Sequence, residues 1–480
     1  MSQQSPPAAS RRWLGLAVIA AAQFMVIMDT SIIGVALPKM QADLGFSPEN
    51  LSWVFNAYVV ALGGLLLLGG KLSDVLGARR VFSAGWVVLI AGSLLAGFAS
   101  NPAAELTGRA IQGAGSALIA PAALTLLFML FGSSPKELTK ALAFYGAAAP
   151  AGGTAGVFLG GVITEYISWP WVFFINIPIA LVILAVVPSV MPAGAMAARS
   201  RIDLLGAATV TGGLAAAVYA VVKAPEVGWG AGSTWLILGV AAVLLVAFVV
   251  RQARGRDPLV RLGIFQAPNL AAANLAQLLL GAAWIPMWFF LNLYLQQVLG
   301  YSAFPSGAAL LPMTVLIMIG MITLAPLAIG HFGPKAVIVA GLLVLASGLG
   351  WLSLIRPGGS FWVDVLPPSL VAALGMSLAF IPSLGTAISS ARPEEGGLAS
   401  GIVNTSYQVG SALGLAVMTA IAAANGADKI GNPEALTEGY STAFIGAAAI
   451  AVLGAVATAI FMHGSQSATV SAAATDKEFS

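Results

Sequence analysis

Stretches of about 20 apolar residues recur along this chain with hardly a charge inside them, and that recurrence constrains the fold most. At about 1.5 Å per residue each stretch crosses the roughly 30 Å hydrocarbon core of a bilayer. Lipid offers backbone groups no partners, so only helices or closed barrels can span it. Fourteen stretches qualify: 13–37, 51–69, 81–99, 103–130, 141–163, 172–190, 204–222, 234–250, 269–293, 307–329, 336–354, 363–388, 398–424 and 442–462. An even count returns both termini to one side. Charged residues make up only 8% of the chain, against roughly 25% in a soluble domain. That is too little to cover a water-facing surface, which excludes a secreted enzyme and a nucleic-acid binder despite a net charge of +3.

The first run follows Arg11-Arg12 and holds Asp29. It is about 25 residues long, where the apolar part of a cleaved signal runs roughly 7–15, so a retained helix is expected. Lys and Arg are kept on the cytoplasmic side. With the N-terminus inside, the outer turns hold only Lys39, Lys223, Arg356 and Lys429 of the 21 Lys and Arg. Both termini are therefore expected in the cytoplasm, with the chain set in the cell (inner) membrane.

A gapless internal match points to a repeated half. Gly77-Ala78-Arg79-Arg80-Val81-Phe82-Ser83-Ala84-Gly85 aligns on Gly333-Pro334-Lys335-Ala336-Val337-Ile338-Val339-Ala340-Gly341. The turn between spans two and three thus matches that between spans ten and eleven, as if a six-helix half recurred after two extra helices. The expected organisation is a cytoplasmic tail (1–12), a six-helix bundle (13–190), two additional helices with flanking loops (191–262), a second bundle (263–463) and a tail (464–480).

Several chemistries are poorly supported. Gly70-Lys71 departs from a phosphate-binding loop at Leu65 and Leu72, and Gly113-Ala114-Gly115 lacks the third glycine of a dinucleotide fingerprint. No Gly-x-Ser-x-Gly or His-Glu-x-x-His motif is present. With no Cys there is no thiolate metal site or disulfide, and His331 and His463 fall at the ends of apolar runs. No enzyme activity, metal or cofactor is expected.

What remains is charge inside the bilayer, which is costly and usually functional. Arg109 lies roughly 9 Å from the outer surface and Asp29 roughly 12 Å, so the two share a depth. Burial favours a neutral carboxyl and a nearby guanidinium an ionised one, a competition suited to taking up and releasing a proton. A static ion pair would use the same residues, and Glu105 is an i,i+4 alternative for Arg109. Gln112, Gly113 and Ser116 continue the polar face of the Arg109 helix. Span five carries Gly152, Gly156 and Gly160, and span thirteen Gly410 and Gly414, small-residue ladders for close packing.

Taken together these residues resemble the major facilitator superfamily, specifically its fourteen-helix drug:proton antiporters. Asp29-Thr30-Ser31-Ile32-Ile33-Gly34-Val35-Ala36-Leu37-Pro38 is similar to the first-helix signature, whose Asp binds the coupled proton. Gly70-Lys71-Leu72-Ser73-Asp74-Val75-Leu76-Gly77-Ala78-Arg79-Arg80 resembles the loop between helices two and three, and Arg109-Ala110-Ile111-Gln112-Gly113-Ala114-Gly115 the fourth-helix signature. Trp171-Val172-Phe173-Phe174-Ile175-Asn176-Ile177-Pro178 is similar to the start of helix six, and Tyr294-Leu295-Gln296-Gln297 and Gly396-Gly397-Leu398-Ala399-Ser400-Gly401 to later landmarks. In the antiporter motif of helix five, Gly152, Gly156, Gly160 and Gly161 are in place, with Val157 where the family has proline.

The resemblance implies a major facilitator fold of two six-helix bundles plus two linker helices. It implies export of lipophilic compounds by alternating access, coupled to protons through Asp29 and Arg109, by a protein working as a monomer in the lipid bilayer. Proton-coupled import of a small nutrient, or a transport-inactive sensor, would fit the same fold. Gly70, Asp74, Gly77, Arg79 and Arg80 are expected to form a cytoplasmic latch, Asp74 meeting a helix N-terminus. The expected cavity is lined by Gln23, Asn56, Tyr58, Gln112, Tyr145, Asn274, Gln277, Trp284, Trp288, Asn404, Tyr407 and Gln408.

Overall fold

The computed structural model describes residues 9–132, 134–192, 203–255, 258–391 and 396–463. Most of the two expected tails lies outside them, and so does the Asp74 side chain. The first half comprises α1 (Ala9–Leu44), α2 (Trp53–Leu76), α3 (Ala78–Gly97), α4 (Pro102–Phe131) and α5 (Pro135–Tyr166), then α6 (Trp171–Phe174) and α7 (Asn176–Val190), which share one crossing. Next come α8 (Leu204–Val227) and α9 (Gly232–Arg254). The second half holds α10 (Leu270–Leu293), α11 (Ala303–Ala309), α12 (Leu311–Ile319), α13 (Ala325–Leu352), α14 (Leu366–Ser390), α15 (Gly396–Ala422) and α16 (Pro433–Phe461).

Thirteen described stretches are long and apolar enough to cross a membrane, and one of them, Ala303–Leu352, has 50 residues. One crossing needs about 20, and Gly333 interrupts the stretch at φ 75°, ψ 160°. Counted as two, it gives the expected fourteen. Helix starts follow local chemistry: Asn101-Pro102 and Asn432-Pro433 each place an Asn side chain on the amide of the third residue on and a Pro in the first turn.

The two halves repeat one packing plan. In the first, α5 lies on α1 and α4 on α3; in the second, α15 lies on α10 and α14 on α13. Gly77 and Gly333 both turn at positive φ. Behind each, glycines at matching offsets meet the next helix: a Cβ on Gly85 or Gly92 would lie 2.8 or 2.6 Å from α4 backbone, and on Gly341 or Gly348 2.7 or 2.5 Å from α14 backbone. The sequence match is therefore a repeated turn and a repeated helix seam.

Between the halves, α8 packs on α2 and α15, with Leu214, Val218 and Val222 against Val59, Leu62, Ala412 and Ala416. α9 is left apolar and outward, Trp235 being 64% and Leu236 69% exposed, as suits a lipid-facing helix. Asp203 caps α8 through the Gly206 amide (2.8 Å) and receives Arg251 Nε (2.5 Å) and Gln252 Nε2 (3.1 Å) from α9.

The halves meet most closely at the end bearing the Gly45 turn. There one core runs from Ile32, Val35 and Phe55 into Leu280, Met287 and Phe290. Gln296 Nε2 donates to the Val35 carbonyl (3.1 Å), Gln297 Nε2 to Gln41 Oε1 (3.0 Å), and the Ala303 amide to Glu165 Oε2 (3.0 Å). Toward the Gly77 end the first half keeps its own core of Val18, Phe82, Trp86, Leu126 and Val187, with no member from the second half.

Candidate functional site

α1 and α4 bring the two intramembrane charges together. Arg109 Nη1 donates to Asp29 Oδ2 at 2.7 Å, with side-chain exposures of 0% and 1%. The same Nη1 donates to Gln112 Oε1 (2.8 Å), one turn on, and Nε donates to the Val54 carbonyl of α2 (3.0 Å). Asp29 Oδ1 accepts from Asn176 Nδ2 (2.7 Å) and Gln112 Nε2 (3.2 Å). Ser93 Oγ of α3 receives both amides, at 2.9 Å from Gln112 and 3.3 Å from Asn176. The guanidinium lies over the Tyr58 ring at 4.5 Å, and the Tyr58 hydroxyl donates to Ser116 Oγ (2.8 Å).

Five helices thus contribute to one network, in which α4 and α7 donate directly to the Asp29 carboxylate of α1 while α2 and α3 hold the donors. An ion pair taken out of water needs hydrogen bonds to its remaining atoms to offset desolvation, and the amides of Asn176 and Gln112 supply them to Asp29 Oδ1. Protonating Asp29 removes the charge that holds Arg109 and weakens the contacts among α1, α4 and α7 together.

The sequence pointed to Asp29, Arg109 and Gln112 but not to Ser93 or Asn176 as members of the site. Asn176 opens α7 after the α6 turn, with Pro178 two residues on. A polar group ahead of a proline at a helix start was the available signal. Glu105 is not the partner of Arg109: it is fully buried, and neither of its oxygens has a hydrogen-bond partner.

The expected cavity residues divide in this conformation. Asn56, Tyr58, Gln112, Asn274, Gln277 and Trp284 are buried. Gln277 Nε2 donates to Ser383 Oγ (2.9 Å), and Asn274 Oδ1 accepts from Ser406 Oγ (2.8 Å). Gln23, Tyr145, Trp288, Tyr407 and Gln408 keep part of their surface accessible, and Asn404 is exposed. Tyr407 stands edge-on to Phe380 at 5.5 Å.

The glycine motif of α5 is a contact surface. A Cβ at Gly152, Gly156 or Gly160 would lie 2.3, 2.8 or 2.6 Å from the carbonyl oxygens of Phe24, Met28 and Ile32, and one at Gly161 3.0 Å from that of Ala303. Every fourth residue of α5 therefore rests on the α1 backbone immediately around Asp29. In the expected latch, Gly77 turns at φ 90°, ψ 129° and Arg79 Nη1 donates to the Met191 carbonyl (3.3 Å). Gly70 has ordinary clearance, and its neighbour Gly69 makes the close approach to α4.

Comparison with known proteins agrees with the fold. The family model described as Major Facilitator Superfamily matches residues 19–415. The chain is 39% identical to a cephamycin export protein of Amycolatopsis lactamdurans, over 93% of this chain and 92% of that protein. It is 36% identical to a puromycin resistance protein of Streptomyces alboniger (92% and 89% covered) and 31% identical to a lincomycin resistance protein of Streptomyces lincolnensis (92% and 91%). Among solved structures, a nucleoside transporter, NupG, aligns at TM-score 0.65 and 14% identity, covering 94% of this chain and all of that one. An auto-inhibited peptide transporter aligns at 0.66 and 16%, covering 95% and 98%.

Proposed function

This chain belongs to the major facilitator superfamily, and we propose that it is a proton-coupled exporter of lipophilic drugs or antibiotics working by alternating access. The observation that carries the coupling is the buried Asp29–Arg109 pair, held by amides from α4 and α7 and seated against the α5 glycines. The multi-pass protein lies in the cell membrane with both termini in the cytoplasm, so the Gly45 end faces outward and is closed in this conformation. The proton gradient is the energy source, no cofactor takes part, and one chain suffices. The Gly77 turn with Arg79 and Arg80 latches the cytoplasmic side when the outer side opens.

Substrate charge follows from the accessible residues. Gln23, Tyr145, Trp288, Asn404, Tyr407 and Gln408 are polar or aromatic, and none is an acid. A dication would leave one charge without a carboxylate, which costs several kcal/mol when buried, and aromatic faces offset only about 0.5–2 kcal/mol of that. Neutral, zwitterionic and monocationic amphiphiles are therefore favoured. Resistance profiling in cells lacking other pumps, with matched mono- and bivalent quaternary ammonium compounds, tests this reading. Protection against the monovalent series is expected, and equal or better protection against the bivalent one contradicts it.

A further inference from the structure

Glu105 takes no part in the site described above. It lies in the first turn of α4, closer to the Gly45 end than Arg109. It is fully buried, and both carboxyl oxygens lack a partner. An ionised carboxylate is costly in that setting, whereas a neutral acid tolerates it. One turn further along the same helix, Arg109 uses Nη1 and Nε, but its buried Nη2 has no partner either. Glu at i and Arg at i+4 share a helix face and can meet. Arg109 thus holds one carboxylate and has a second within reach.

We infer that Glu105 is a second proton carrier between the outer end and Asp29, with Arg109 alternating between the two carboxyls. This rests on the proton-coupled reading above. In the arrangement described here Glu105 carries the proton and Asp29 the charge. In the other, the O–H bond on Glu105 has broken, one has formed on Asp29, and Arg109 has turned to the Glu105 carboxylate. Each arrangement contains one guanidinium and one ionised carboxyl, so the transfer between the two carboxyls leaves the net charge of the buried site unchanged.

Among the described residues the neighbouring elements offer few other charged groups. α1 brings Asp29; at its outer end Lys39 is engaged by the Thr164 carbonyl and Asp43 accepts from Trp169 Nε1 (2.7 Å), and its Arg11 and Arg12 lie at the opposite end. α2 brings Tyr58, bonded to Ser116, and carries Lys71 and Asp74 at its far end. The charged residues of α3, Arg79 and Arg80, also lie at the far end. On α5, Glu165 accepts the Ala303 amide, and the charged residues of its first turn are at the opposite end. α15 brings only Tyr407.

The test uses the full chain in proteoliposomes with tetraphenylphosphonium as probe. Glu105→Gln should slow proton-driven export by about 100-fold, the scale of a positioned proton-transfer group. It should also flatten the pH profile and leave downhill exchange unchanged, and Glu105→Asp should restore part of the rate. Wild-type export and pH profile in Glu105→Gln, alongside loss of coupling in Asp29→Asn, would overturn this inference alone. Wild-type coupling in both variants would overturn the proton-coupled reading as well. A measurement on the unaltered protein covers the case in which a variant does not fold. After a pH step, isotope-edited infrared spectra should show protonated-carboxyl bands of labelled Glu and labelled Asp changing in opposite directions. Changes confined to Asp contradict a second carrier.

Discussion

Arg109 illustrates how much one side chain does at the residue scale. Its guanidinium makes three hydrogen bonds in three directions, to Asp29, Gln112 and the Val54 carbonyl, and lies over the Tyr58 ring. A lysine keeps the charge but not the planar fork. Losing one charge-assisted bond of about 1.5–3 kcal/mol corresponds to roughly a 10- to 100-fold effect. Arg109→Lys is therefore expected to lower proton-driven export by that factor in reconstituted vesicles, and an unchanged rate would contradict the assigned geometry. Asp29 and Arg109 were legible in the sequence because a charge inside an apolar run stands out. Ser93 and Asn176 were not: an uncharged polar residue near a helix end reads as packing or capping, and only the fold, which sets Asn176 on Asp29 and Ser93 behind the two amides, gives them a role.

Pairs of helices in this protein are set by where backbones touch, and neighbouring glycines separate that effect cleanly. A Cβ at Gly152 would lie 2.3 Å from the Phe24 carbonyl, while one at Gly153 meets nothing closer than 3.8 Å. Overpacking costs about 1–3 kcal/mol, so Gly152→Ala should lower the melting temperature in detergent and Gly153→Ala should not. Equal melting of the two variants would show that the α1–α5 seam is looser than described. The α8–α9 pair has a pH dependence of its own. Burial pushes the Asp203 carboxyl up, but hydrogen bonds from Arg251, the Gly206 amide and Gln252 outweigh it and hold it below the usual carboxylate range. Stability from a lowered carboxyl is present above its ordinary value of about 3.9 and is lost as pH falls through the folded value. The pair should loosen below about pH 4, and Asp203→Asn should abolish that acid step. The chain has no cysteine, so spin labels on cysteines introduced in α8 and α9 read the distance directly. The same acid step in both proteins would refute the assignment. The crossings were legible at this scale through length and apolarity, and the Gly77 and Gly333 turns through their shared neighbours. The π-helical turns at Tyr294–Val298, Gly320–Leu324 and Phe361–Val365 were not, because such turns follow how a helix is seated among its neighbours.

Across the whole molecule, two six-helix halves meet at the Gly45 end and carry separate packing toward the Gly77 end, with α8 bridging α2 and α15. That asymmetry is what alternating access requires of one of its two end states. The fold was legible from apolar periodicity and the internal repeat. Which end is closed was not, because apolar stripes do not record at which end the halves join, here through contacts such as Gln296 to Val35 and Gln297 to Gln41. In the proposed cycle, export proceeds at the expense of a proton carried by Asp29. This is tested most directly by substrate-evoked proton release from everted vesicles with an acidified lumen, comparing the unaltered protein with Asp29→Asn at equal amounts of folded, inserted chain. Proton release is expected on adding tetraphenylphosphonium to the unaltered protein, and none in the variant. Equal release by both, or export by the unaltered protein with no proton movement, would contradict this cycle.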